Sequence, residues 1–264
     1  MPADPDIRTL IHPHTGRVFE ICPTKYGFSS DLTALVECEK GPFFVKAMRN
    51  RPGGRRDSIT RERTISPFVR PVAPALRWHA QDEGWIVLGF EVVEGWPSDF
   101  KPGSPDLPAV VELLNRIGIL DLPAVARDWP ETRWDRFTID SAQTRLFRGD
   151  ALLHTDINPD NLLVAQRGGW VVDWSWPTRG AAFIDPACLV VQLVAAGHSA
   201  ETAENWADNC TAWREANPRA LDAFASATVR MYRRFAERRP DEAWRGAMVQ
   251  AAEKWSAHRG LSLA

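Results

Sequence analysis

The stretch Leu152–Val164, LLHTDINPDNLLV, sets one histidine, two aspartates and two asparagines between two short apolar runs. An ordinary surface loop rarely begins and ends in Leu-Leu. Apolar flanks of this kind predict a polar loop pinned at both ends into a core, with its chemistry held at a fixed place. Within it His154, Asp156 and Asn161 fit the pattern H-x-D-x-x-x-x-N. Taken alone, the same residues could simply cap a turn.

A few residues further on the chain reads GGWVVDWSW, Gly168–Trp176: a glycine turn, then an apolar strand ending on Asp173. The spacing predicts a hairpin with Asn161 and Asp173 at facing ends. Two oxygen ligands so placed suit a hard cation such as Mg²⁺, which keeps waters and completes its shell from substrate phosphates. Asp156 is then left to accept a proton from a hydroxyl nucleophile.

Upstream, Arg17 to Val93 reads as short strands: VFEIC, ALVEC, GPFFVKAM and the long run GWIVLGFEVV. Between them RRDSITRERTISPFV carries Ile59, Ile65 and Phe68 and predicts one amphipathic helix ending near Pro67. Lys46 closes the apolar run FFVK, and the helix offers Glu62 or Asp57 as its ion-pair partner. Glycines and prolines crowd together from Gly95 to Pro108 and mark a boundary. Beyond it AVVELLNRIGIL, LDAFASATVRMYRRFAERR and DEAWRGAMVQAAEKWSAHR have helical patterns. The expected architecture is α+β in two lobes: residues 1–93 forming an antiparallel-sheet lobe, and residues 94–264 a mainly helical one.

HTDINPDNLLV followed by VVDWSWPTRGAAFIDPA resembles the catalytic core of aminoglycoside phosphotransferases and, more distantly, of choline kinases and protein kinases. The resemblance covers residues from about 17 to 200 and implies a protein kinase-like fold. It implies that Asp156 orients and deprotonates the acceptor hydroxyl while Asn161 and Asp173 bind metal. His154 is then a structural member of the loop, Asp185 anchors it from the next helix, and Asn158 stands where protein kinases place a phosphate-contacting lysine. Lys46 corresponds to the phosphate-contacting lysine of the third strand, with Glu62 its partner. The stretch YGFSSDLTALVE takes the position of the phosphate-covering loop; it lacks G-x-G-x-x-G but offers Ser29 and Ser30. The segment from Gly89 to Val93, with Glu91 inside it, takes the place of the linker strand whose backbone meets a purine. The implied co-substrate is ATP or GTP with Mg²⁺.

The 264 residues carry 32 basic and 34 acidic side chains, a formal charge of −2, which gives no electrostatic case for nucleic acid or membrane partners. The four cysteines form no CxxC pair, and no apolar run reaches membrane-spanning length. The N-terminus lacks the apolar core of a secretion signal, so a cytoplasmic protein with reduced thiols is expected. The acceptor stays open. From Ala200 onward nine acidic residues face ten basic ones, unlike a receptor for polycations. Of twelve tryptophans, Trp129, Trp134, Trp174, Trp176, Trp206 and Trp213 fall in segments that could wall a cleft, or they could pack helices together. Three readings follow: a kinase of a small-molecule hydroxyl on an antibiotic, sugar or amino alcohol; a kinase of peptide Ser or Thr; and a non-catalytic, kinase-like binding module.

Overall fold

The computed structural model describes residues 5–24 and 30–262. They form two compact units. The first comprises the chain up to Gly95 together with Trp170–Trp176, and the second comprises Trp96–Gly169 and Pro177 onward.

The first unit is an antiparallel sheet with a helix associated with each face. Helix α1 (Pro5–Thr15) precedes strands β1 (Val18–Pro23), β2 (Leu32–Cys38) and β3 (Phe43–Arg49). Helix α2 (Gly54–Val69) follows, then β4 (Leu76–Gln81) and β5 (Trp85–Glu91). The strand order is β1-β2-β3-β5-β4. Alternation along β3 divides its side chains: Val45 and Ala47 join the core that includes Ile7 and Ile11 of α1, whereas Met48 joins Ile59 of α2. Lys46 lies between Val45 and Ala47 and therefore faces the α2 side with Met48. β4, LRWHAQ, alternates apolar and polar residues and buries Trp78 and Ala80. Trp78 lies flat on Gly89 of β5, where any added Cβ would meet the indole at 2.1 Å, so this contact needs glycine.

Pro67 does not end α2. The helix runs on to Val69 and contains the proline in its last turn, where the missing N–H removes one hydrogen bond rather than a run of them. The buried stripe of α2 is Ser58, Ile59, Glu62, Ile65, Ser66 and Val69, which is helical spacing with one acidic residue upon it.

The second unit begins with the short strand β6 (Trp96–Pro97) and helix α3 (Leu107–Gly118), and continues with α4 (Ser141–Leu146) and β7 (Ala151–Leu153). Next come β8 (Leu162–Val164) and β9 (Gly169–Val171), which starts in the second unit and carries the chain into the first; β10 (Thr178–Gly180) resumes the second. Helices α5 (Ile184–Ala195), α6 (Ala200–Ala207), α7 (Thr211–Arg214), α8 (Pro218–Arg238) and α9 (Ala243–His258) complete it. Asp140, Ser199 and Asn217 cap the N-termini of α4, α6 and α8 through their side chains. Phe224 of α8 is the hub of the helical core, with Trp134, Phe147, Phe183 and Trp255 around it at ring-centroid distances of 4.6–6.5 Å. Among the described residues no helix is long and apolar enough to cross a membrane.

Candidate active site

Lys46 is buried at the centre of the first unit, 4% exposed. Its Nζ lies 2.7 Å from Glu62 Oε2 and 2.7 Å from Asp173 Oδ1, and donates to Ser175 Oγ at 3.0 Å. The single Ser175 hydroxyl proton has two carboxylate acceptors within reach, Asp173 and, at 3.3 Å, Glu62 Oε2. Burial alone would disfavour the ammonium, but Glu62 and Asp173 more than offset it and raise the Lys46 pKa above its ordinary value. The sequence leaves Glu62 and Asp57 as rival partners; the structure selects Glu62, while Asp57 points from the exposed side of α2.

Asp173 has φ +59°, one of two non-glycine residues in the left-handed region among those described. The other is Thr155 at φ +64°, beside Asp156. A β-branched residue in that region is strained and persists only when its surroundings over-determine it. Here they do. Buried Asp185, in the first turn of α5, accepts the N–H of His154 at 2.9 Å and of Thr155 at 2.7 Å, one on each carboxylate oxygen. Arg133 donates to Thr155 O and Thr155 Oγ1, both at 2.9 Å. Glu131 orients Arg133 by accepting its backbone N–H at 2.6 Å. Burial raises the Asp185 pKa, opposed by the N–H groups of His154 and Thr155. Burial likewise pushes up the Cys188 thiol and the Tyr232 phenol, both within electrostatic reach of Arg133 and Asp156.

The loop presents Asp156 exposed while fixing everything around it. Asn161, 7% exposed, donates its Nδ2 to both the carbonyl and Oδ2 of Asp156 at 2.9 Å. With both Nδ2 hydrogens so committed, Oδ1 is the Asn161 atom whose chemistry suits a cation. Asn158 folds back into the loop: its Oδ1 accepts the N–H groups of Asp160 and Asn161 at 3.0 and 3.1 Å, and its Nδ2 donates to Asp156 O at 3.2 Å. His154 Nδ1 receives the N–H of Asp156 at 3.3 Å. The apolar flanks of the loop become β7 and β8. Ser98 N–H, bonded to Pro159 O and Leu162 O, ties its far end, and Ala165 N–H to Gly168 O closes the turn that follows.

The remaining candidates are less involved. Glu91 spends its N–H on Ala75 O and its carboxylate on Ala75 N–H and Arg77, and half-buried Val93 lies beyond the end of β5. Ser30 Oγ is buried without a hydrogen-bond partner, whereas Gly27 and Ser29 lie outside the described residues. Trp134 and Trp213 are buried in the helical core, Trp134 donating to Thr228. Trp174 donates to Val171 O, and exposed Trp176 stacks under Arg61 of α2. Arg133, Glu131, Thr155 and Ser175 escaped the sequence reading. Arg133 lies about twenty residues from the loop it braces, and no periodicity links it to Thr155. Ser175 stands two residues past Asp173, and an uncharged hydroxyl there carries no mark of its role.

Among the described residues no group of three or more His, Cys, Asp or Glu is placed to hold a metal by itself. A cation at Asn161 or Asp173 would therefore take few protein ligands, all hard oxygens. That set fits Mg²⁺, which retains waters and substrate oxygens, and suits neither zinc nor a caged calcium.

Several solved structures share this fold. A thermostable variant of the aminoglycoside phosphotransferase APH(4)-Ia, in ternary complex with AMP-PNP and hygromycin B, is 13% identical, with a TM-score of 0.63 over 94% of this chain and 98% of its own. The choline kinase LicA from Streptococcus pneumoniae is 11% identical, with a TM-score of 0.65 over 96% of this chain and 98% of its own. The macrolide 2'-phosphotransferase MphH from Brachybacterium faecium is 14% identical, with a TM-score of 0.53 over 94% and 97%. The chain thus has the kinase-like fold of the aminoglycoside phosphotransferases and choline kinases. No protein-family model matches the sequence, and no curated protein matches it.

Proposed function

We propose that this protein is a phosphotransferase that moves the γ-phosphate of a nucleoside triphosphate, ATP in the first instance, to a hydroxyl of a small molecule. The observation that carries the reading is the buried Lys46, fixed by Glu62 and Asp173 at 2.7 Å each. A buried lysine between two carboxylates is a poor way to stabilise a fold, because desolvation consumes much of the Coulombic gain. It is a good way to hold a point charge ready for phosphate oxygens.

In this scheme Lys46 meets the phosphates and Glu62 keeps its ammonium in place. Asn161 through Oδ1 and Asp173 through its carboxylate would hold Mg²⁺, which neutralises charge on the phosphate oxygens when bound. Asp156 accepts the proton of the acceptor hydroxyl as its oxygen attacks the γ-phosphorus and the bond to the bridging oxygen breaks. Asp185, Arg133 and Asn161 fix the backbone that aims Asp156. With its oxygen and nitrogen both bonded inside the loop, Asn158 acts first as the loop's internal brace. The proteins that share the fold include an aminoglycoside phosphotransferase, a choline kinase and a macrolide 2'-phosphotransferase, which supports an antibiotic, sugar or amino alcohol as the first acceptor class to try.

The test is thermal unfolding with ATP or GTP, each with and without Mg²⁺, in the parent and in Asp173→Ala. A ligand that binds only the folded state at 100 times its Kd stabilises by about 2.7 kcal/mol, and a Mg²⁺-dependent shift of that kind is expected in the parent alone. Absence of any such shift with both nucleotides would overturn the reading.

A further inference from the structure

Five arginines line one cavity of about 450 Å³ within the second unit: Arg136, from the short turn Asp135–Phe137, and Arg230, Arg233, Arg234 and Arg238 from α8. The α8 residues recur at three- and four-residue spacing and so share one helix face. One acidic residue, Glu237, lines the cavity with them. Arg233 is neutralised by Glu253 at 2.7 Å and Arg234 by Glu237 at 3.1 Å. Among the described residues Arg136, Arg230 and Arg238 pair with no carboxylate. Arg230 Nε donates to Phe137 O, and its second terminal nitrogen is buried with no hydrogen-bond partner. Burial also pulls the Arg230 pKa below its ordinary value.

Nothing in the packing of α8 calls for this. The apolar face of the helix, with Leu221, Phe224, Val229 and Met231, already fixes it in the core. Like charges four residues apart, as in Arg230, Arg234 and Arg238, destabilise a helix, and a buried guanidinium N–H without an acceptor is costly. The repulsion among the guanidiniums falls when an anion with several oxygens sits between them. The planar fork of arginine matches phosphate in a bidentate way. The volume is that of a small-molecule pocket. With a net charge of −2 the chain as a whole presents no basic field for a nucleic acid.

We propose that this cavity binds a small phosphorylated anion carrying two or more phosphate charges, at a site that shares no residue with those assigned to the nucleotide. The turn that supplies Arg136 follows directly on Arg133, the brace of the Asp156 loop, so an occupant would also stiffen the segment carrying that brace.

The experiment is calorimetric titration of the full chain with inorganic pyrophosphate, without Mg²⁺ or nucleotide. One pyrophosphate is expected to bind per chain. Affinity should fall at least tenfold in Arg136→Gln/Arg238→Gln, whose sites are exposed and whose folding is checked by the unfolding midpoint. Arg214→Gln/Arg219→Gln, an equal loss of charge at exposed sites outside the cavity, should leave affinity within twofold. Lys46→Met/Glu62→Leu, which removes the phosphate-contacting lysine, should also bind pyrophosphate as the parent does. The proposal is overturned if the parent binds no pyrophosphate, if the Arg214/Arg219 variant loses as much as the cavity variant, or if binding disappears with Lys46 and survives loss of the arginines. Preference for a long RNA over pyrophosphate would overturn it as well, in favour of a macromolecular partner.

Discussion

In the first unit Asp173 is gripped by side chains, the ammonium of Lys46 and the hydroxyl of Ser175, and the cluster is ionic. In the second, Asp156 follows a strained Thr155 that is gripped through the backbone, with Asp185 taking two N–H groups and Arg133 a carbonyl. Both places put a non-glycine residue in the left-handed region, yet the means differ in what they permit. Ion pairs among Lys46, Glu62 and Asp173 can be shared with or taken over by phosphate oxygens and a cation, because the competing groups are charges of the same kind. A backbone held by a buried carboxylate has no such competitor. On the proposed function, the first arrangement suits ligands that come and go, and the second suits a base that must stay aimed while they do.

The sharpest way to break this comparison is to remove one charge from the ionic cluster. Lys46→Met leaves Glu62 buried without its cation and should cost about 3–5 kcal/mol of unfolding free energy, with loss of nucleotide binding. Lys46→Met/Glu62→Leu should recover most of that stability in denaturant melts but none of the nucleotide affinity. Recovery of both would mean that the pair is merely structural.

Next in size is the backbone grip. Asp185→Ala orphans two buried N–H groups at about 1–3 kcal/mol each, so a loss of about 3 kcal/mol is expected in the same melts. A loss below 1 kcal/mol would show that the loop does not depend on Asp185. Arg133→Met keeps the stem and removes both side-chain hydrogen bonds to Thr155. It should lower turnover about 10- to 100-fold through misplacement of the loop, with nucleotide affinity by calorimetry unchanged. An equal loss of affinity would place Arg133 with the nucleotide instead.

The smallest effect is a pH slope. Burial lifts the Asp185 pKa in the folded state above the ordinary 3.8, so the folded protein takes up this proton more readily than the unfolded chain. Its contribution is therefore most favourable below pH 3.8 and falls as pH rises through the folded-state pKa. Asp185→Asn cannot titrate, and its stability should decline less than the parent's as pH is raised from 3.8 toward neutrality. Parallel curves would remove the burial argument.

The fold class was legible because two textures, β-branched alternation and helical stripes, occupy separate stretches of the chain. The loop was legible because its apolar flanks and its H-x-D-x-x-x-x-N spacing are local. Glu62 could have been separated from Asp57 by noting that it lies three residues from both Ile59 and Ile65, on the one stripe that is buried. β4 and α1 went unread: β4 alternates over six residues only, three of them polar, and the apolar positions of α1 are too few to set a period. Arg133 was beyond reach because it meets Thr155 through a backbone carbonyl and an uncharged hydroxyl, neither of which marks an arginine's partner in residue type.

One measurement tests the account most directly: transfer of γ-labelled phosphate from Mg·ATP to a panel of aminoglycosides, macrolides and amino alcohols, by the parent and by Asp156→Asn, beside nucleotide affinity for each. The account predicts transfer to at least one acceptor by the parent, a fall of about 10²- to 10⁴-fold in the variant, and equal nucleotide affinity in both. Undiminished transfer by Asp156→Asn would contradict it.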